Sequence, residues 1–247
     1  MTVRFDRSGG VARITLDRPD KRNAMTDAMW SQFESHLAAL DPGGTDRVLV
    51  VTGTGGAFCG GSDVSGLLDD PDSLPARIDV SNRCVLAMRE LPIPTVALVD
   101  GIAAGSGLNL ALACDFVLAS DRARFLQVFI HRGLSLDSGA SWLLPRLVGE
   151  RRARELALLG QQVGASDALT MGMINRVVGV DELATAGEEL AATLVGYSAE
   201  ALAGNKALLG AAWSTTLAQA LDAERDNQLR VIAGDHARQQ ISSFGKN

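Results

Sequence analysis

Val96-Ala-Leu-Val-Asp-Gly-Ile-Ala-Ala-Gly-Ser-Gly-Leu-Asn109 runs from an apolar stretch into a glycine-rich loop, and residues 106–113 then read as a buried helix. Val48-Leu-Val-Val-Thr-Gly-Thr-Gly-Gly-Ala-Phe-Cys-Gly-Gly-Ser-Asp63 repeats the pattern upstream. Residues 47–52 and 95–99 are apolar apart from Arg47, Thr52 and Thr95, as strands buried on both faces of a parallel sheet are. Glycine in the following loops lets backbone N–H groups approach a ligand closely. Two such loops, each opening a helix, can aim one N–H apiece at a single oxygen, which is how an oxyanion hole is built.

Around these loops the chain alternates strands and helices. Residues 2–7 and 11–17 read as a hairpin turned by Ser8-Gly9-Gly10. Thr26 is placed to cap a helix whose stripe, Trp30, Phe33, Leu37 and Leu40, has helical spacing and reads as core. Asp41-Pro-Gly-Gly ends that helix. Residues 63–91 read as a short helix, a polar loop and a longer helix stopped by Pro92 and Pro94. A third strand is expected at 116–119, helices at 138–148 and 150–159, and a short strand at 175–178. From Asp181 onward the pattern is helical, near 181–195, 198–210, 214–233 and 235–243. The alternation argues for an α/β core over 1–195, with 196–247 as an appended helical subdomain.

Composition narrows the function classes. At 247 residues the chain can bury a sizeable core, and its 47% hydrophobic and 21% charged residues are those of a globular protein. A net charge of −6 argues against nucleic acid as a partner. No apolar run reaches membrane-spanning length and Met1-Thr-Val-Arg-Phe-Asp-Arg is no signal peptide, so a cytoplasmic protein is expected. Cys59, Cys84 and Cys114 have no CxxC spacing and read as reduced thiols. Cys59 lies in the first loop, but no histidine flanks it, and it reads as a packing residue rather than a nucleophile.

Several chemistries drop out on spacing. Gly53-Thr-Gly-Gly-Ala-Phe58 and Gly105-Ser-Gly-Leu-Asn-Leu110 both lack the third glycine of a dinucleotide fingerprint, and no phosphate-binding GxxxxGK[ST] exists. A GxSxG nucleophile elbow is absent. His36, His131 and His236 have no metal-ligand spacing.

The ordered segments resemble the crotonase (enoyl-CoA hydratase/isomerase) superfamily. Ile14-Thr-Leu-Asp-Arg-Pro-Asp-Lys-Arg-Asn-Ala-Met25 is similar to its N-terminal signature, Gly53 to Asp63 to its first oxyanion loop, and Pro94 to Asp115 to its second. Ala123-Arg-Phe, Gly133-Leu, Asp137-Ser-Gly, Leu144-Pro-Arg-Leu-Val-Gly149 and Met171-Gly-Met-Ile-Asn-Arg-Val-Val178 continue the match. The resemblance implies a crotonase-like ββα spiral core with a C-terminal helical oligomerisation subdomain, assembled as a homotrimer or homohexamer. It implies an acyl-CoA thioester as substrate and no cofactor beyond the coenzyme A of that substrate. The thioester oxygen would be held by the N–H groups of Ser62 and Ser106, whose side chains would matter mainly for size. Gly60, Asp63 and Val64 of the first loop, with Ala24 and Phe129, would line the substrate site. Lys21 and Arg22 fall where the family often places cations near the CoA phosphates. Phe244 and Lys246 resemble C-terminal residues that in some members reach the nucleotide of a neighbouring subunit.

The chain departs from the family's hydratases at the two glutamates they use. Asn109 and Phe129 occupy those positions, and neither can transfer a proton at neutral pH. Asp137, in Gly133-Leu-Ser-Leu-Asp-Ser-Gly139, falls where some isomerase branches place an acid/base aspartate. Its apolar neighbours Leu134, Leu136 and Phe129 would raise its pKa, although an aspartate before Ser-Gly-Ala also suits a helix cap. The expected reaction is double-bond migration with Asp137 as the shuttling base. The alternatives are a hydratase in which Asn109 orients water, a hydrolase or dehalogenase with Asp137 as nucleophile, a Ser138–His131 hydrolase pairing, and a non-catalytic CoA-ester binder.

Overall fold

Strands β1 (Thr2–Ser8) and β2 (Val11–Asp17) form the expected hairpin, closed by Gly9 and Gly10, both with positive φ. The computed structural model describes residues 2–243. Beyond the hairpin, β3 (Val48–Gly53), β4 (Thr95–Val99), β6 (Phe116–Ser120) and β9 (Arg176–Val178) add in parallel, giving the order β1-β2-β3-β4-β6-β9. Every residue of β4 is buried, as a central strand covered on both faces requires. Successive side chains divide between two layers. Val48, Val50, Val96, Leu98 and Leu118 pack on helix α6 (Leu183–Gly196), and Leu49, Val51, Ala97 and Val99 face the larger core.

That larger core is filled by α1 (Asp27–Ala38), α2 (Leu74–Glu90) and α3 (Ser106–Leu112). Thr26 Oγ1 accepts the Met29 amide at 3.2 Å, the predicted cap, and Trp30, Phe33 and Leu37 of the α1 stripe are buried. The short helix expected after residue 63 is instead a set of turns over 65–69 and a 3-10 turn at Pro71–Ser73. The two helices expected at 138–148 and 150–159 are the arms of one kinked helix, α4 (Ala140–Leu159), bent where Gly149 adopts φ 76° and ψ 162°.

A second sheet escapes the sequence reading. It comprises β5 (Ile102–Ala104), β7 (Arg124–Leu126) and β8 (Val163–Gly164), with α5 (Ala165–Thr170) following. Strands this short show no period to read. They matter because β5 carries the second glycine loop and bridges in parallel from Ala103 to Cys59 of the first.

Helices α7 (Ala199–Ala211), α8 (Leu217–Ala233) and α9 (Asp235–Ser243) complete the described chain after α6. Ser198 caps α7, and Thr216 with Gln219 forms a capping box on α8. Lys206 ties α7 to the core, donating to the Ile93 carbonyl at 3.0 Å and to Asp115 Oδ2 at 2.7 Å. Leu209, Trp213 and Leu217 are exposed in the single chain.

Candidate active site

The first loop is fixed by the segment before α1. Asn23, fully buried and held at φ 56°, accepts the Arg18 amide through Oδ1 at 2.8 Å. Its Nδ2 donates to the carbonyls of Thr54 at 2.9 Å and Ala57 at 2.7 Å. Gly60 donates to the Arg22 carbonyl and Met25 to that of Gly61, both at 2.8 Å. Gly61 lies at φ 98°, and a Cβ there would come 2.9 Å from the Ala104 carbonyl, so glycine alone lets the two loops approach this closely.

The second loop turns at Gly105 (φ 53°, ψ −128°) and enters α3 at Ser106. The Ser106 amide is a first-turn donor with no protein partner among the described residues. The Ser62 amide is engaged: it donates to Ser106 Oγ at 2.7 Å. Ser62 Oγ and Ser106 Oγ are 2.9 Å apart, and Trp30 Nε1 donates to Ser62 Oγ at 3.1 Å. These hydroxyls therefore do more than set size, and the indole of a residue read as plain core reaches the site.

Asp137 lines the cavity in front of these loops. Burial raises its carboxyl pKa, offset in part by the neighbouring Ser138 hydroxyl. Its Oδ1 is buried without a hydrogen-bond partner among the described residues. The helix-cap reading does not hold, because α4 begins without a side-chain cap and Asp137 contributes only its backbone carbonyl, accepting from Ala140 at 3.1 Å. Asn109 is fully buried and does not line the cavity. Its Nδ2 donates to the Asp137 carbonyl at 3.0 Å, and its Oδ1 accepts from Gln127 Nε2 at 2.8 Å. The amide thus anchors the loop that carries Asp137, and its polar atoms are turned away from any water in the cavity.

The cavity, about 240 Å³, brings together Gly60, Ser62, Asp63, Val64, Ser106, Phe129 and Asp137. A second hollow of about 300 Å³ shares Gly60, Ser62, Asp63, Val64 and the exposed Arg132 with it and adds Lys21, Arg22 and Ala24. Phe244 and Lys246 lie outside the described residues. Arg77 and Arg132 line the cavity without having been singled out in the sequence, where each stands as an isolated charge.

Asp63 is an unsuitable proton carrier. Burial acts to raise its pKa, but hydrogen bonds from the Ser65 hydroxyl and amide and from Arg18 outweigh it and hold the carboxyl at about 2. Cys59 is buried, donates to the Asn23 carbonyl at 3.3 Å and has its thiol pushed up to about 12, so packing is its role. Ser138 and His131 do not pair: Ser138 lies 3.5 Å from Ser81 Oγ, and His131 Nε2 bonds the Gly160 carbonyl at 2.7 Å. Among the described residues no group of three His, Cys, Asp or Glu side chains is placed to hold a metal ion, and no helix is long and apolar enough to cross a membrane.

Two apposed glycine loops facing a half-buried carboxyl, on a mainly parallel sheet with a helical C-terminal region, define a crotonase fold. The enoyl-CoA hydratase/isomerase family model matches residues 6–246. The 1,2-epoxyphenylacetyl-CoA isomerase of Escherichia coli (strain K12) is 37% identical over 240 residues, covering 95% of this chain and 92% of its own. An enoyl-CoA hydratase from Polaromonas sp. JS666 superposes with a TM-score of 0.93 at 31% identity, covering 99% of this chain and 96% of its own. A Thermobifida fusca YX structure in complex with acetoacetyl-CoA has a TM-score of 0.88 at 33% identity, covering 94% of each chain. The chain belongs to the enoyl-CoA hydratase/isomerase family.

Proposed function

We propose that the protein moves a carbon–carbon double bond in an enoyl-CoA thioester, with Asp137 as its single acid/base. One observation carries the reading. Of the three carboxyls lining the cavity, Asp27 pairs with Arg77 and Asp63 with Arg18, while Asp137 has no ion pair among the described residues and has its pKa raised by burial. A carboxyl in that state is suited to accept and return a proton. The positions of the two hydratase glutamates hold Asn109, which is engaged in anchoring, and Phe129, which has no proton to give.

In the proposed reaction the Asp137 carboxylate takes a proton from the γ-carbon of a 2-enoyl thioester. The electron pair moves through the conjugated system onto the thioester oxygen, forming a dienolate. The amides of Ser62 and Ser106 hold that oxygen, an interaction typically worth about 3–4 kcal/mol per donor in comparable sites. The proton then returns at the α-carbon, and the carboxylate is regenerated. Lys21, Arg22 and Arg132 around the second hollow place positive charge for the CoA phosphates. An acyl-CoA ligand is supported by the acetoacetyl-CoA complex of the Thermobifida fusca relative.

The test is a mass-spectrometric screen of enoyl-CoA thioesters in heavy water. Migration yields an isomer carrying deuterium at the exchanged carbon. A product heavier by one water assigns a hydratase instead, released CoA assigns a hydrolase, and tight binding without turnover across the panel assigns a binder.

A further inference from the structure

The first loop's oxyanion donor, the Ser62 amide, is already occupied. Ser106 Oγ accepts it at 2.7 Å, inside the range of about 2.7–3.1 Å that an oxyanion would take up. The same oxygen belongs to the residue whose amide is the second donor. Standard bond lengths and a staggered χ1 keep it within roughly 3–4 Å of that nitrogen. One side-chain oxygen thus takes up the Ser62 amide, and it belongs to the residue whose amide is the other donor. Ser62 Oγ, 2.9 Å from Ser106 Oγ and itself fixed by the Trp30 indole, braces it there.

We propose that the Ser106 hydroxyl is an internal competitor for the oxyanion hole: a thioester carbonyl must displace it, and Ser106 thereby sets how strongly the site holds its ligand. The inference rests on the acyl-CoA reading of the site. The hydroxyl satisfies the half-buried Ser62 amide within the protein itself. On binding, rotation about χ1 into another staggered well clears the position. The Ser62 amide then exchanges one acceptor for another and gains no hydrogen bond. Without the hydroxyl, the same event adds a hydrogen bond outright.

Calorimetric titration of the full chain and its Ser106→Ala and Ser106→Gly variants with acetoacetyl-CoA and with free CoA tests this. Free CoA has no thioester carbonyl and serves as the control. Both variants are expected to bind acetoacetyl-CoA about 2- to 10-fold more tightly, the equivalent of one net hydrogen bond, with free CoA unchanged. Equal affinity for acetoacetyl-CoA overturns the proposal, and weaker binding shows that the hydroxyl donates to the carbonyl instead. Hydrogen exchange at the Ser62 amide gives a readout that needs no ligand. Exchange in the empty protein is expected to be faster in Ser106→Ala than in the parent, and an unchanged rate also overturns the competitor role. If none of the proteins binds either CoA compound, the acyl-CoA reading falls and takes this inference with it. A lost exchange difference with binding intact removes only the role of Ser106.

Discussion

Burial raises the Asp137 carboxyl pKa from its ordinary 3.8. The fold therefore favours the protonated form, and this residue's contribution to stability is complete below 3.8 and lost as pH rises through the raised value. At neutral pH the charged carboxylate works against folding. Asp137→Asn is thus expected to raise the melting temperature at pH 7, with the gain vanishing in acid, while isomerase turnover falls by about 10²–10⁴-fold. Calorimetry and heavy-water turnover on the same preparations check both halves; a folded variant with parental turnover would remove Asp137 from the chemistry. In the parent, kcat should decline as pH falls through the raised value, because the base must be ionised. Asp63, held at about 2, stays charged across that range and leaves the profile to Asp137. Asn109→Ala is expected to lower turnover modestly and to cost about 1–3 kcal/mol of stability, because Gln127 Nε2 and the Asp137 carbonyl each lose a partner. Loss of turnover as complete as that of Asp137→Asn in a folded protein would make the amide a catalytic group rather than an anchor.

At the scale of elements, the two glycine loops are clamped together more tightly than their sequences reveal. A Cβ on Gly107 would come 2.6 Å from the Cys59 carbonyl and side chain. Gly107→Ala is therefore expected to destabilise by about 1–3 kcal/mol or more, measured by denaturant unfolding, because backbone has to move. Strands β2, β3 and β4 were legible because their apolar runs are bounded by glycine or proline, β6 because a short apolar run stands between Asp115 and Asp121, and α1 because its stripe has helical spacing and a capping threonine. The second sheet was not, since its strands span two or three residues. The gathering of Gly60, Ser62, Ser106, Phe129 and Asp137 around one cavity follows the ordered motifs. What the motifs leave open is side-chain direction. The family resemblance placed Asn109 at the site, but its rotamer turns toward Gln127 and the Asp137 carbonyl. Helical periodicity put Trp30 in the core, but it cannot tell that the indole N–H ends on Ser62.

Across the whole molecule, the helices after α6 leave apolar side chains in search of cover. Leu209, Trp213 and Leu217 are 72%, 72% and 76% exposed, and Leu221, Leu229 and Ile241 continue the pattern. Side chains of this kind are expected to be covered by association with further copies of the chain. A homotrimer or homohexamer is the expected assembly, and light scattering that finds a stable monomer at micromolar concentration would exclude it. Acyl-CoA thioesters are expected to raise the melting temperature, since a ligand that binds only the native state stabilises it. Chelators should leave turnover unchanged; activity lost to a chelator and restored by a metal would contradict enolate chemistry run by backbone donors alone. The clamped loops also divide the cavity by tolerance to change. Asn23, Gly61, Gly105 and Gly107 pin the side formed by the two loops to buried backbone on several fronts. Val64, Leu67, Leu74 and Ile78 also line the cavity, from turns and the start of α2, which are tied in mainly by Arg77 through Asp27 and the Asp63 carbonyl. On the acyl-CoA reading proposed above, the molecule works as a vice with one fixed and one replaceable jaw, and recasting residues 64–78 is expected to change which acyl shapes fit while leaving the clamped loops as they are.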